Sequence, residues 1–141
     1  MKYFTLTDSD NGTVYKFQSD DGEQCVLENV ATGECGHFFI DALQPADEYA
    51  ATVYKFYPQL NREQLAVMDS VVTAASANGY DFGLTDEVHV AGMNRNQIGG
   101  HLAALQAAGI IDLHEETVND DEEIVQIELH QDFQEALHEL D

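Results

Sequence analysis

Six histidines, two cysteines and 27 carboxylates are the groups in this 141-residue sequence able to carry chemistry. A structural zinc site needs at least one pair of ligands a few residues apart, so that one short turn of chain can bring both to the ion. Cys25, Cys35 and His37 run as Cys-x9-Cys-x-His, whose close pair has a single residue between its ligands and does not match known zinc spacings. His89, His101, His114, His130 and His138 are spread wider and show no His-x3-His step on a helix. Asp81-Phe82-Gly83 spells a kinase triplet, but the other kinase motifs are missing and the triplet reads as a loop. No nucleophile sits in a recognisable elbow. The sequence points to a protein that is not an enzyme and holds no cofactor.

The carboxylates are the dominant chemical fact. Against 5 lysines and arginines they leave a formal charge of -22. Self-repulsion on that scale calls for screening by salt or for a function that uses the negative field. Nucleic-acid backbones and anionic membranes are poor partners for it. Basic proteins, cations and protein sites that normally receive DNA are good ones. Between Tyr57 and Asp141, 17 carboxylates stand against Arg62 and Arg95 alone. The densest run supplies the expected partner-binding residues Glu115, Glu116, Asp120, Asp121, Glu122 and Glu123.

No apolar run approaches the ~20 residues of a membrane span. Met1 to Thr5 has a lysine but no apolar stretch before Asp8-Ser9-Asp10-Asn11. The expectation is a cytoplasmic protein, and two thiols suit a reducing compartment. Folding the hairpin that carries them puts Cys25 opposite about Phe38, a register that disfavours a disulfide to Cys35.

The elements that must position these groups fall into three segments. Residues 1–46 read as a small antiparallel β-meander, with strands at Lys2–Thr7, Thr13–Gln18, Gln24–Asn29 and Cys35–Ile40. Asn11-Gly12 is a hairpin signal for a turn with two positive φ angles, and Asp21-Gly22 and Thr32-Gly33 mark the next turns. Asp41 to Pro45 ends the run, with Pro45 holding Gln44 extended or turning. This segment resembles a small SH3-like barrel. The resemblance implies a groove between loops lined by Asp8, Asp10, Asp20, Asp21 and Glu23, which otherwise read as solvated turn carboxylates.

Residues 47–60 connect. Thr52-Val53-Tyr54-Lys55-Phe56 repeats Thr13-Val14-Tyr15-Lys16-Phe17 letter for letter, and the second copy is expected to be extended for at least its second half.

In residues 61–141, Asn61 and Gln64 form a capping box before Leu65, Met68, Val71, Val72 and Ala75, which recur at helical spacing until Asn78-Gly79. Thr85 to Val90 reads as a short helix and Ala91-Gly92-Met93 as a turn. Asn94 and Gln97 repeat the box ahead of Ile98, Leu102 and Leu105, as far as Ala108-Gly109. Ile110–His114 and Ile124–Leu129 read as strands joined by an acidic loop from Glu115 to Glu123. Asp132 to Leu140 presents Phe133, Ala136, Leu137 and Leu140 on one helical face.

Helix, short helix, turn, capped helix, strand, loop and strand resemble the winged helix-turn-helix domains of bacterial regulators of the MarR and ArsR type, over about residues 58–130. The segment from Asn94 to Ile111 looks like their recognition helix. The whole is then an α+β chain: a β-meander or SH3-like barrel, a winged helix-turn-helix and a C-terminal helix. The resemblance implies that Asn94, Arg95, Asn96, Gln97 and His101 face base edges, while the wing touches the DNA backbone. It also implies that the last helix either packs on the domain or forms a homodimer. The six wing carboxylates conflict with phosphate contact, and the overall charge resembles that of phage DNA-mimic proteins. The sequence therefore predicts a regulatory or inhibitory protein that binds a nucleic-acid-processing or otherwise basic protein. The alternative is a DNA-binding regulator adapted to high salt.

Overall fold

The computed structural model describes residues 3–7, 9–119 and 122–140, with the backbone alone described at 116–119, 122 and 123. The chain is mixed α+β and divides into two compact units, Met1–Leu65 and Ala66–Asp141.

The described residues of the first unit form five strands: β1 (Tyr3–Leu6), β2 (Tyr15–Asp20), β3 (Gln24–Asn29), β4 (Cys35–Phe39) and β5 (Leu43–Ala46). They form one antiparallel sheet in the order β4-β3-β2-β1-β5. Local turn chemistry sets the middle hairpins. The Asp21 carboxylate accepts from the N–H groups of Gln24 and Glu23, and Gly22 takes φ 98°. The Asn29 side chain accepts from Ala31 and Thr32, and Gly33 takes φ 78°. Cys25 lies opposite Phe38, and Cys35 lies opposite Glu28, so the thiols do not face each other. The segment expected to leave the sheet at Pro45 instead pairs with β1 as an edge strand, where a missing N–H is tolerated.

Asn11-Gly12 does not form the tight turn expected of it, since neither residue has a positive φ. Gly12 is buried, and its N–H donates to the Leu60 carbonyl at 3.0 Å. A Cβ there would stand 2.8 Å from that same oxygen. Glycine serves close backbone approach at this position, and β2 begins two residues later than the turn signal suggested.

The second copy of the repeated pentapeptide is helical, contrary to its expected extension. It lies in α1 (Glu48–Phe56), capped by Asp47, whose carboxylate accepts from the Ala50 N–H at 2.7 Å. Val14 and Val53, the second residues of the two copies, are both fully buried.

α2 (Arg62–Ser76) begins with the expected box: Asn61 Oδ1 accepts from the Gln64 N–H, and Gln64 Oε1 accepts from the Asn61 N–H. In the second unit its Met68, Val71, Val72 and Ala75 are fully buried. After Gly79 (φ 68°) and Tyr80 (φ 64°), the triplet read as a loop contributes to β6 (Phe82–Leu84). Gly83 lets that strand lie close to α2, because a Cβ there would meet the Val71 carbonyl and the Ala74 methyl at 3.3 Å. α3 (Arg95–Ala107), β7 (Ile111–Asn119), β8 (Glu122–Leu129) and α4 (Gln131–His138) follow, with sheet order β6-β8-β7.

Two expectations fail here. Thr85–Val90 is no α-helix but a single 3-10 turn over Thr85–Glu87. The His89 N–H, which a helix would direct to Thr85, donates instead to Ser70 Oγ on α2 at 3.0 Å. The acidic segment is also not a loop as far as Glu123. Glu115 pairs with Val125, Glu116 with Ile124, Thr117 with Glu123 and Asn119 with Glu122. β-branched Val125 and Ile124 on β8 pair with Glu115 and Glu116 and so carry the ladder into the charged run.

α4 buries Phe133 and Leu137 completely. The Tyr80 ring meets His138 edge-on at 5.1 Å, and Gln134 Nε2 donates to the Leu129 carbonyl at 2.6 Å. Two residues of this helix's apolar face are thus buried inside the second unit, while Ala136 and Leu140 are half-buried.

Candidate functional site

The residues expected to face a partner begin at the N-terminus of α3. Asn94 Oδ1 accepts from the Gln97 N–H at 2.8 Å, and Gln97 Oε1 accepts from the Asn94 N–H at 2.8 Å. The reciprocal cap satisfies two otherwise orphaned helix donors and engages the side-chain oxygen of each residue.

Arg95 turns back onto its own unit. Its Nη1 donates to the Thr85 carbonyl at 2.9 Å, and its Nη2 donates to the Val88 carbonyl and lies 3.4 Å from His89 Nδ1. The Thr85 carbonyl also accepts from the Val88 N–H at 3.2 Å, so the fork adds a second donor there and supplies one to the Val88 carbonyl, which lies past the 3-10 turn. Arg62 does the same in the first unit. Its Nη1 donates to the Thr7 carbonyl at 2.7 Å, and its Nη2 donates to Gln44 Oε1. Both arginines of the chain thus follow a capping asparagine and hold backbone carbonyls. Of the remaining residues, Asn96 is exposed and His101 is half-buried.

From Val88 to Ile111 the sequence carries no carboxylate. The outer side of α3 within that stretch is small and neutral, with Gly99, Gly100, Ala103, Ala104 and Ala107 exposed. Beside it lies a cleft of about 630 Å³ lined by Thr85, Gly99, Leu102, Gln106, Leu113, His114, Glu115 and Val125. Its lining mixes apolar and polar side chains, and Glu115 is the one carboxylate among them.

No protein-family model, curated protein or solved structure matches this chain.

The outward side of the β7–β8 ribbon is a set of paired acids and imidazoles. Asp112 and Glu128 are directly opposite, an arrangement that like charges make unfavourable. His114 Nε2 lies 2.8 Å from Glu128 Oε2, and His130 Nε2 lies 3.6 Å from Asp112 Oδ2. Each carboxylate therefore has an imidazole at hand, with all four side chains about half exposed and strongly screened. Sequence spacing weighs His114 and His130 only as metal ligands and does not reveal their pairing with Glu128 and Asp112. Alternation along β7 joins Asp112 to His114, but only the register across β8 supplies Glu128 and His130.

Among the expected partner-binding residues, Glu115 is exposed beside the cleft. Glu116, Glu122 and Glu123 are described by backbone pairing alone, and Asp120 and Asp121 lie outside the described residues. Among the described residues no group of three His, Cys, Asp or Glu side chains is arranged to hold a metal ion. No described helix is long and apolar enough to cross a membrane.

Proposed function

We propose that this chain is a non-enzymatic regulatory or inhibitory protein whose second unit is an acidic winged helix that docks on a protein partner. The order β6-β8-β7, with β6 between the first two long helices and pairing with the last strand, supports the winged-helix reading. A first sheet of four meandering strands with β5 returning to β1 supports the SH3-like reading of the first unit. The observation that carries the functional reading is the engagement of Arg95 with the Thr85 and Val88 carbonyls. The cation that would anchor a recognition helix on phosphate is committed to the fold, while the ribbon beside it is acidic. In its sharpest form the proposal makes β7–β8 a stand-in for DNA phosphates, presented to a basic protein that handles nucleic acid.

A second reading is favoured by the carboxylate-free stretch from Val88 to Ile111, with Asn96 exposed at the helix start. It makes the chain a DNA-binding regulator that works at high salt, where phosphate repulsion is screened.

One pair of measurements separates the two. The purified chain is used as bait for partner capture, and duplex binding is titrated from low to molar salt. The protein-binding reading expects a stoichiometric complex that is lost when Glu115, Glu116, Asp120, Asp121, Glu122 and Glu123 are changed to their amides. Saturable, sequence-dependent duplex binding that Asn96→Ala abolishes would overturn it.

A further inference from the structure

The two edges of the five-stranded sheet are not alike. β5 carries Pro45, which has no N–H to offer another strand. β4, Cys35-Gly36-His37-Phe38-Phe39, has no proline, lysine or arginine, and its register with β3 is unbroken. The Ile40 N–H donates to the Glu23 carbonyl at 3.1 Å, and the Asn29 N–H donates to the Glu34 carbonyl at 2.8 Å. The even-numbered residues thus spend their backbone groups on β3. By the two-residue period of a strand, Cys35, His37 and Phe39 turn theirs to the other side. Among the described residues no strand pairs there. The same three side chains are exposed, Phe39 at 65%, while Phe38 turns inward with its ring 5.0 Å from that of Tyr15.

Charge selects the occupant. Between Gln18 and Asp41 the chain has six carboxylates and no lysine or arginine. Glu34 precedes β4, and Asp41 follows it by two residues, next to Ile40, which bonds to the Glu23 carbonyl. A second copy would bring a further formal charge of -22 to the same edge, which disfavours self-pairing.

We propose that β4 receives an extended basic segment of a partner protein by strand addition. Main-chain hydrogen bonds to Cys35, His37 and Phe39 hold the segment, an apolar side chain covers Phe39, and lysines or arginines meet Glu34 and Asp41. The surface belongs to the first unit and does not depend on the reading of the second.

The test uses the intact chain and a synthetic peptide of about eight residues alternating lysine and valine, close to an ordinary strand length. Fluorescence anisotropy reads binding and amide hydrogen exchange by NMR reads its place. Protection is expected at the Cys35, His37 and Phe39 amides, with those of Gly36 and Phe38 unchanged. Affinity is expected to fall about tenfold or more between low and roughly 0.5 M salt. His37→Pro removes one outward donor and is expected to weaken binding at least about tenfold. Glu34→Gln with Asp41→Asn is expected to weaken it several-fold. A glutamate–valine peptide that binds equally well, protection away from β4, or protection of these amides by self-association without peptide overturns the proposal. If His37→Pro fails to fold, the exchange pattern of the unchanged chain decides alone.

Discussion

The guanidinium of Arg95 donates to the carbonyl of Val88, seven residues earlier, and so closes the turn that precedes α3 onto the helix itself. Hydrogen bonds from a charged donor to buried or half-buried carbonyls contribute about 1.5–3 kcal/mol. Arg95→Ala is therefore expected to destabilise the chain by about 2 kcal/mol in a urea titration. Arg95→Lys should recover little, because an ammonium cannot span both carbonyls as the planar fork does. Unchanged stability in Arg95→Ala would mean that the side chain is available to a ligand.

Gly12→Ala tests close approach against turn conformation. The added methyl would meet the Leu60 carbonyl at 2.8 Å, so a cost of about 1–3 kcal/mol is expected. Gly22→Ala has open space around it but keeps φ 98°, and about 1–2 kcal/mol of backbone strain is expected there. A D-alanine at each position, introduced by chemical synthesis, should rescue Gly22 and not Gly12, as read by thermal melting.

Asn29 and Tyr54 join β3 to α1: the Asn29 amide donates to the Tyr54 hydroxyl at 3.0 Å. Tyr54→Phe is expected to cost about 1 kcal/mol by removing that acceptor. Asp47→Ala, which removes the cap of the same helix, should cost a similar ~1 kcal/mol. Helix content that survives both changes, followed by far-UV circular dichroism, would show that packing of Val53 alone holds the pentapeptide helical.

The two thiols should differ sharply in reactivity. Cys25 is 1% exposed, and burial pushes its thiol above the ordinary value, whereas Cys35 is exposed. Since alkylation needs an accessible thiol, Cys35 is expected to be alkylated in the folded chain and Cys25 only on unfolding. Mass spectrometry of peptides after timed alkylation reads the order, and equal rates would contradict the buried register of β3.

Asp21 gives a pH dependence with a definite sign. Hydrogen bonds from the Gln24 and then the Glu23 N–H groups hold its carboxyl below the ordinary 3.8. A folded-state value lower than the unfolded one means stability that is present above the unfolded value and lost as pH falls through the folded one. The advantage of the native chain over Asp21→Asn in urea midpoint is expected at neutral pH and should vanish in strong acid. An advantage that grows as pH falls below about 4 would reverse the assignment.

Local signals in the sequence determined much of this architecture. Asn61-Arg62-Glu63-Gln64 and Asn94-Arg95-Asn96-Gln97 each start a helix, because a capping box is completed by residues three positions apart. Gly79 and Gly109 stop those helices in left-handed conformations, and the alternation of Gln24–Asn29 yields β3 with Cys25 opposite Phe38. What lies beyond a few residues was decided by tertiary structure. The pentapeptide Thr-Val-Tyr-Lys-Phe leads into a strand after Gly12 and becomes helix after Asp47, because its intrinsic preferences are too weak to outweigh a cap and the burial of its valine. The 85–90 segment loses its helix to a bond with Ser70, nineteen residues away. The same distance limit applies to the candidate site. Composition alone displays the acidity of the hairpin. The pairing of Asp112 and Glu128 with imidazoles, and the turning of Arg95 from ligand to backbone, arise only when strands and helices set those groups within hydrogen-bond reach.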